Sequence, residues 1–322
     1  MNKALFTRQQ SISDWLSIMH SQGATLALPE LLNYRRYRTM QGTRKSKVPA
    51  RGRGGASLSR FKGRGMEFDE VRHYQNGDDI RAIDWRVTAR TGKTHTKLFR
   101  EEKERPVFIM TDFSHSMLFG SSLLFKSVQA AHVAAAIAWQ SAYRGDRVGG
   151  LIFNDDKHQE VKPLSRDKGV LRFIHSLVES HQQALNFSSQ PVTQTLNDNL
   201  QRLQKLVKTG AEVYLLSDFH ELNTRSVETL RALSIHNKVQ AILLQDPMEQ
   251  QLPASSPVQV SARDGDFERE FWLGLKSTND AYAKKASQWY NQRLQLLNQA
   301  RIPVFTLSSA TPLPLQWQEI GR

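Results

Sequence analysis

The segment from Pro106 to Met117, P-V-F-I-M-T-D-F-S-H-S-M, limits the fold more than any other stretch of the chain. Val107, Phe108, Ile109 and Met110 make a short apolar run, preceded by charged residues 100–105 and followed by Asp, two Ser and then Gly120. An apolar run of this length, ending in small polar residues ahead of a helix, predicts a buried strand of a parallel sheet. In open α/β sheets, ligands bind beyond the carboxyl ends of such strands. Asp112, Ser114 and Ser116 stand there in the spacing D-x-S-x-S. One loop therefore offers a carboxylate and two hydroxyls, a hard oxygen set of the kind Mg²⁺ accepts, with Mn²⁺ or Ca²⁺ as alternatives. The spacing alone is weak, because Asp and Ser are also ordinary turn formers.

The same alternation continues downstream. Leu123 to Tyr143 is rich in Ala and predicts a helix, ended by Arg144-Gly145-Asp146. Val148 to Phe153 predicts a second buried strand, which turns at Asn154-Asp155-Asp156 into a strand over 159–164. An amphipathic helix follows over 168–180. Ala211 to Phe219, A-E-V-Y-L-L-S-D-F, is another apolar strand, and it closes on Asp218. Two buried strands that each end on an Asp are less expected by chance than one. A helix at 223–235, a strand at 239–244, a hairpin across 257–274, a helix at 279–300 and a strand at 302–307 complete the order. The expected architecture is α/β, a mostly parallel Rossmann-type sheet flanked by helices, with a six-stranded parallel core joined by right-handed crossovers.

Charge divides the chain unevenly. Residues 1–105 hold 22 Lys/Arg and 11 Asp/Glu, whereas residues 106–322 hold 22 and 20. We therefore expect a basic N-terminal region, 1–105, ahead of the α/β domain, 106–322. Arg35, Arg36, Arg38, Arg44, Lys45, Lys47, Arg51 and Arg53 belong to a block between Arg35 and Arg64 that has eleven basic residues and no acidic one. Such a block attracts an acidic protein surface or a nucleic acid, or else is a solvated arm. Ahead of it, Ile12, Trp15, Leu16 and Met19 recur at helical spacing, and Pro29 opens a second short helix.

Several chemistries are excluded. There is no Cys, so no disulfide, thiol nucleophile or cysteine-ligated zinc. The ten His include no H-E-x-x-H, and neither a phosphate loop nor G-x-S-x-G is present. No signal peptide or membrane span is evident, which predicts a cytoplasmic location.

The most distinctive stretch precedes the first buried strand. It reads E-F-x-x-V-R-x-Y-x-x-G-D-D-I-R-x-I-D-W-R-x-x-A-R, with Glu67, Arg72, Tyr74, Gly77, Asp78, Asp79, Arg81, Asp84, Trp85 and Arg90 as its marked positions. Asn76-Gly77 is a turn signal. The alternating charges predict surface ion pairs of small individual worth. Asp79 or Asp84 as a general base lacks a partner at recognisable spacing.

With D-F-S-H-S-M following it, this stretch resembles the domain of unknown function 58 family, most specifically over 63–118. The resemblance implies a von Willebrand factor A-like fold, encoded beside MoxR-type AAA+ ATPases and other A-domain proteins. It also implies a metal-ion-dependent adhesion site at Asp112, Ser114, Ser116 and Asp218, with a Thr from the loop before the next helix. Thr195, with Thr193 as substitute, is the candidate, although the family position falls on Gln194. The function it implies is a non-enzymatic, metal-dependent interaction module that partners a MoxR-type ATPase. The alternative is a nucleic-acid or anionic-surface binder acting through 35–64.

Overall fold

In a computed structural model, which describes residues 12–37, 66–101, 104–186, 193–253, 255–264 and 267–317, the chain groups into two units. One is Met1–Thr43 with Arg105–Arg322, and the other is Arg44–Glu104. The larger unit begins with α1 (Ile12–Met19) and α2 (Leu28–Leu32), followed by a 3-10 turn, Asn33–Tyr37. Pro29 lies in the first turn of α2, where its missing N–H costs nothing. Trp15, Met19, Leu31 and Tyr34 are buried in the same core as the sheet. Burying side chains of this kind is worth about 1.5–3 kcal/mol each.

A polar relay pins these first helices. His132 shares a 3.0 Å hydrogen bond through Nδ1 with the Tyr34 hydroxyl, and its Nε2 lies 3.0 Å from the Glu30 carboxylate. All three side chains are buried, so each polar group satisfies another.

In the smaller unit, β1 (Met66–His73) pairs antiparallel with β2 (His95–Glu101), with a register shift between Phe68 and Glu70. The connection contains Gly77 at φ +104, a 3-10 turn at Ile80–Ala82 and α3 (Trp85–Thr91). Gly92 ends α3 in the left-handed region, which an L side chain disfavours.

The larger unit then runs β3 (Pro106–Asp112), α4 (Lys126–Tyr143), β4 (Arg147–Phe153), β5 (His158–Ser165), α5 (Arg166–Leu185), α6 (Leu196–Leu206), β6 (Glu212–Ser217), α7 (Thr224–His236) and β7 (Lys238–Gln245). It ends with α8 (Pro247–Gln250), the hairpin β8 (Val258–Asp264) and β9 (Phe267–Leu273), α9 (Lys276–Gln299), β10 (Val304–Ser308) and α10 (Leu313–Gln316). Six strands form one sheet in the order β10-β7-β6-β3-β4-β5, flanked by helices in a Rossmann-like, von Willebrand A-like arrangement. The run pattern led us to expect a six-stranded parallel core, but only five of the six strands run parallel. β5 lies antiparallel on the edge, because residues 154–157 make a hairpin link too short for a crossover.

β3 is buried along its length from Val107. Phe108 and Met110 join a cluster with residues of α6 and α7, while Val107 and Ile109 join another with residues of α4 and α5. Small side chains let α4 lie close to its neighbours, and Ala130, Ala131, Ala134 and Ala135 are fully buried. Gly150 on β4 serves the same end. A Cβ there would meet the Ile109 carbonyl oxygen at 2.2 Å and the Phe173 ring at 2.7 Å. Among the described residues, no helix is long and apolar enough to cross a membrane.

Candidate strand-end site

From β3 the chain moves outward through β4 to β5, then returns to β6 and moves the other way through β7 to β10. The strand order thus reverses between β3 and β6, where an α/β sheet leaves a crevice. Asp112 ends β3, and Asp218 directly follows β6.

Four strand ends, those of β3, β4, β6 and β7, are closed by the same local device. Asp112 Oδ1 accepts the Ser114 N–H at 2.8 Å, Asp218 Oδ1 the His220 N–H at 3.0 Å, and Asp246 Oδ1 the Met248 N–H at 2.9 Å. Asn154 does likewise for Asp156 at 3.0 Å. These are Asx turns, and they explain why Asp and Asn follow the apolar runs. Turn making alone would leave the carboxylates facing water. Asp112 and Asp218 are instead 97% buried, and Asp246 and Asn154 are buried as well.

What surrounds these two carboxylates sets their charge. Asp112 Oδ2 accepts the Ser217 hydroxyl at 2.5 Å. Burial, reinforced by repulsion from Asp218, pushes the Asp112 carboxyl up to about 7. Burial works against ionisation of Asp218 as well, but there the Lys126 ammonium prevails and holds the carboxyl below its ordinary value. Lys126 Nζ lies 2.7 Å from Asp218 Oδ2, is wholly buried, and also reaches Glu249 on α8. The Ser114 and Ser116 hydroxyls stand 3.4 Å apart, and the Ser116 hydroxyl helps to hold the Asp218 carboxyl down. Phe219 follows at φ +52, an uncommon region for a bulky residue. Its N–H donates to Ser217 Oγ at 2.9 Å, so the turn holds both Ser217 and Asp218 in place.

Asp112, Ser114, Ser116 and Asp218 therefore converge. Lys126, Ser217, Glu249 and Asp155 join them without having stood out in the sequence. Asp155 Oδ2 accepts the His115 N–H at 2.8 Å, and its carbonyl accepts the N–H groups of Thr193 and Gln194. It clips the D-x-S-x-S loop to the loop before α6. Thr193 Oγ1 donates to the Asp156 carbonyl at 2.7 Å. Thr195 is the N-cap of α6: its Oγ1 donates to Asp198 Oδ2 at 2.6 Å and accepts the Asp198 N–H at 3.2 Å. Between them, the buried Gln194 Oε1 has no hydrogen-bond partner.

One carboxylate with two hydroxyls, beside a second carboxylate, is a donor set that suits a small hard cation. Asp218, however, already shares the Lys126 ammonium. Among the described residues, no three His, Cys, Asp or Glu side chains gather as a metal cluster.

The marked residues of the smaller unit have other tasks. Arg72 pairs with Asp78 at 2.7 Å, and the Tyr74 hydroxyl donates to the Asp78 carbonyl at 3.3 Å. Asp79 caps the 3-10 turn through the Arg81 N–H. Asp84 caps α3 through the N–H groups of Arg86 and Val87, with Lys97 3.6 Å away. The Val87 N–H bond chiefly holds Asp84 below the ordinary carboxylate value, as the Gln75 N–H does for Asp78. Arg81, Trp85 and Arg90 are exposed, and the Glu67 side chain lies outside the described residues. Of the basic block, Arg36 is exposed and Arg35 pairs with Asp167 at 2.7 Å while its guanidinium stacks on Trp139. Arg38, Arg44, Lys45, Lys47, Arg51 and Arg53 lie outside the described residues.

The family model described as "Protein of unknown function DUF58" matches residues 70–291. Uncharacterized protein Mb1516 of Mycobacterium bovis is 28% identical over 234 residues, 72% of this chain and 71% of its own. Uncharacterized protein Rv1480 of Mycobacterium tuberculosis matches to the same extent. Among solved structures, the conserved hypothetical protein BatB from Bacteroides thetaiotaomicron overlaps at 14% identity and TM-score 0.39, over 67% of this chain and 97% of BatB. An aerotolerance-related membrane protein from Bacteroides fragilis overlaps at 16% and 0.38, over 67% and 98%. Overlaps as loose as these two carry no argument about this chain.

Proposed function

The chain belongs to the DUF58 family of proteins of unknown function, and we propose that it is a non-enzymatic interaction module whose strand-end site takes a divalent cation. The observation that carries this reading is the convergence of Asp112, Ser114, Ser116 and Asp218 at the point where strand order reverses. Asp112, Ser114 and Ser116 would hold Mg²⁺, or Mn²⁺ or Ca²⁺ in its stead, and Asp218 would stand beside it. Two hydroxyls leave most of the ion's charge uncancelled, so a bound ion supplies an open position for an acidic group of a partner. The D-x-S-x-S loop, clipped by Asp155, presents that position, and the α6 cap keeps the neighbouring loop in register. A MoxR-type AAA+ ATPase, with other A-like proteins, is the partner we assign, and the chain would adapt it to a substrate.

Calorimetric titration of Mg²⁺ and Mn²⁺ tests the metal half of this reading. Wild type should give a saturable isotherm that Asp112→Ala abolishes. Identical traces for the two proteins would overturn it.

A further inference from the structure

In the unit Arg44–Glu104, the acids of D-D-I-R-A-I-D-W-R are spent on their own backbone. Asp78 accepts the Gln75 N–H and pairs with Arg72, while Asp79 and Asp84 cap the two short helical turns. The residues between them are not used this way. Neither the 3-10 turn nor α3 buries a residue. Ile80 and Trp85 are each 66% exposed. Arg81, Arg86 and Arg90 are exposed as well, and no ion pair joins them to other described residues. A Trp at the first position of a helix gains nothing there in propensity, and here most of its surface is left in water. Trp and Arg are the side chains that dominate the energetics of protein interfaces.

We propose that the stretch Ile80–Arg90 is a docking surface for a second protein whose contact face is acidic around an apolar recess. Ile80 and Trp85 fill the recess. The Arg81 and Arg86 guanidiniums, and that of Arg90, pair with the surrounding carboxylates, for which their planar forks are matched. Asp79 and Asp84 interleave with these arginines. That alternation opposes a continuous run of phosphates but leaves room for separate carboxylates set around an apolar recess, which favours a protein over a nucleic acid. The surface lies on a different unit from the strand-end site and does not rest on the metal reading.

The test uses the full chain in the cells that make it, with Trp85→p-benzoyl-L-phenylalanine or Ile80→p-benzoyl-L-phenylalanine as photo-crosslinker and mass spectrometry to map adducts. The expected result is an adduct to another protein within an Asp/Glu-rich segment. Its yield should fall at least tenfold when Arg81→Glu and Arg86→Glu are added, and persist with Asp112→Ala. Should the double Glu variant fail to fold by circular dichroism, Arg81→Gln with Arg86→Gln removes the same charges and decides the matter. An adduct within residues 105–322 of the same chain, to a second copy or to nucleic acid overturns the proposal. So does no adduct at either position, one that survives charge removal, or one lost with Asp112→Ala.

Discussion

Asp residues close turns in both units of this molecule, yet they lead opposite lives. At the end of β3 and β6, Asp112 and Asp218 make the same Asx turns as their neighbours but are buried beside each other. One is held ionised by Lys126, and the other is driven toward its neutral form. In the smaller unit, Asp79 and Asp84 make the same kind of bond to backbone N–H groups, and the nearby side chains face water. What separates these exposed turn makers from the buried pair is desolvation, since an exposed carboxylate costs nothing to keep charged. Burial alone does not make a ligand, because the wholly buried Asp246 spends its oxygens on Ser121, Met248 and Ser309. Removing the Lys126 ammonium, which balances the buried pair, disturbs this arrangement most.

Lys126→Met should produce the largest loss of stability. It leaves Asp218 buried without its cation, a change that typically costs about 3–5 kcal/mol. Urea unfolding of the single variant and of Lys126→Met with Asp218→Asn measures it. The double variant should recover part of the loss, and equal losses would show that Lys126 acts by packing alone.

A pH series in EDTA probes Asp112. Its unfolded value is near 3.9, as for any exposed Asp, and its folded value is about 7. Between these, the unfolded chain releases a proton that the folded chain keeps. Stability is therefore fully present below about pH 4 and declines as pH rises through about 7, by on the order of a few kcal/mol. Asp218 has the opposite sign, and its contribution is lost in acid as pH falls through its lowered folded value. Asp112→Asn should flatten the slope between pH 4 and 7, and an unchanged slope would assign it to another group. If the strand-end site binds Mg²⁺, excess Mg²⁺ should flatten it too, because a bound ion displaces the Asp112 proton.

How far these features could be read in the sequence follows from their range. β3, β4 and β6 announce themselves because a strand covered on both faces must be continuously apolar, as Val107–Met110 and Val213–Leu216 are. Asp112 and Asp218 are legible for the same reason, standing where each run stops. Lys126 left a trace as the only Asp, Glu, Lys or Arg between Asp112 and Arg144. Its pairing with Asp218, however, spans 92 residues, a separation no local pattern encodes. The Glu30–His132 contact is hidden in the same way, across 102 residues. β5 was legible as a strand, but its direction depends on a short link rather than on its own residues.

Thr195 bears on the boundary between the two roles at smaller amplitude. As the N-cap of α6 it should cost about 1 kcal/mol when replaced by Ala. If its hydroxyl serves only the cap, thermal unfolding of Thr195→Ala will shift while Mg²⁺ affinity stays that of wild type. Ser114→Ala and Ser116→Ala should do the reverse, weakening the ion while stability changes little. A Thr195→Ala variant that loses the ion would move this residue into the ligand set.

The smallest effect is expected at Trp85, and it is the sharpest contrast with the buried pair. Trp85 is 66% exposed and α3 buries none of its residues, so truncation to Ala removes no core contact. Stability should stay within about 0.5 kcal/mol of wild type, as for surface substitutions away from special features. Asp84→Ala, one residue earlier, should lower stability measurably, because two N–H groups of α3 lose their acceptor. Guanidinium unfolding of the two variants side by side therefore separates a residue that holds the turn from one the turn merely displays. If Trp85→Ala were the more damaging of the two, the ring would be packed against protein, and the surface assigned to a partner would belong to the chain itself.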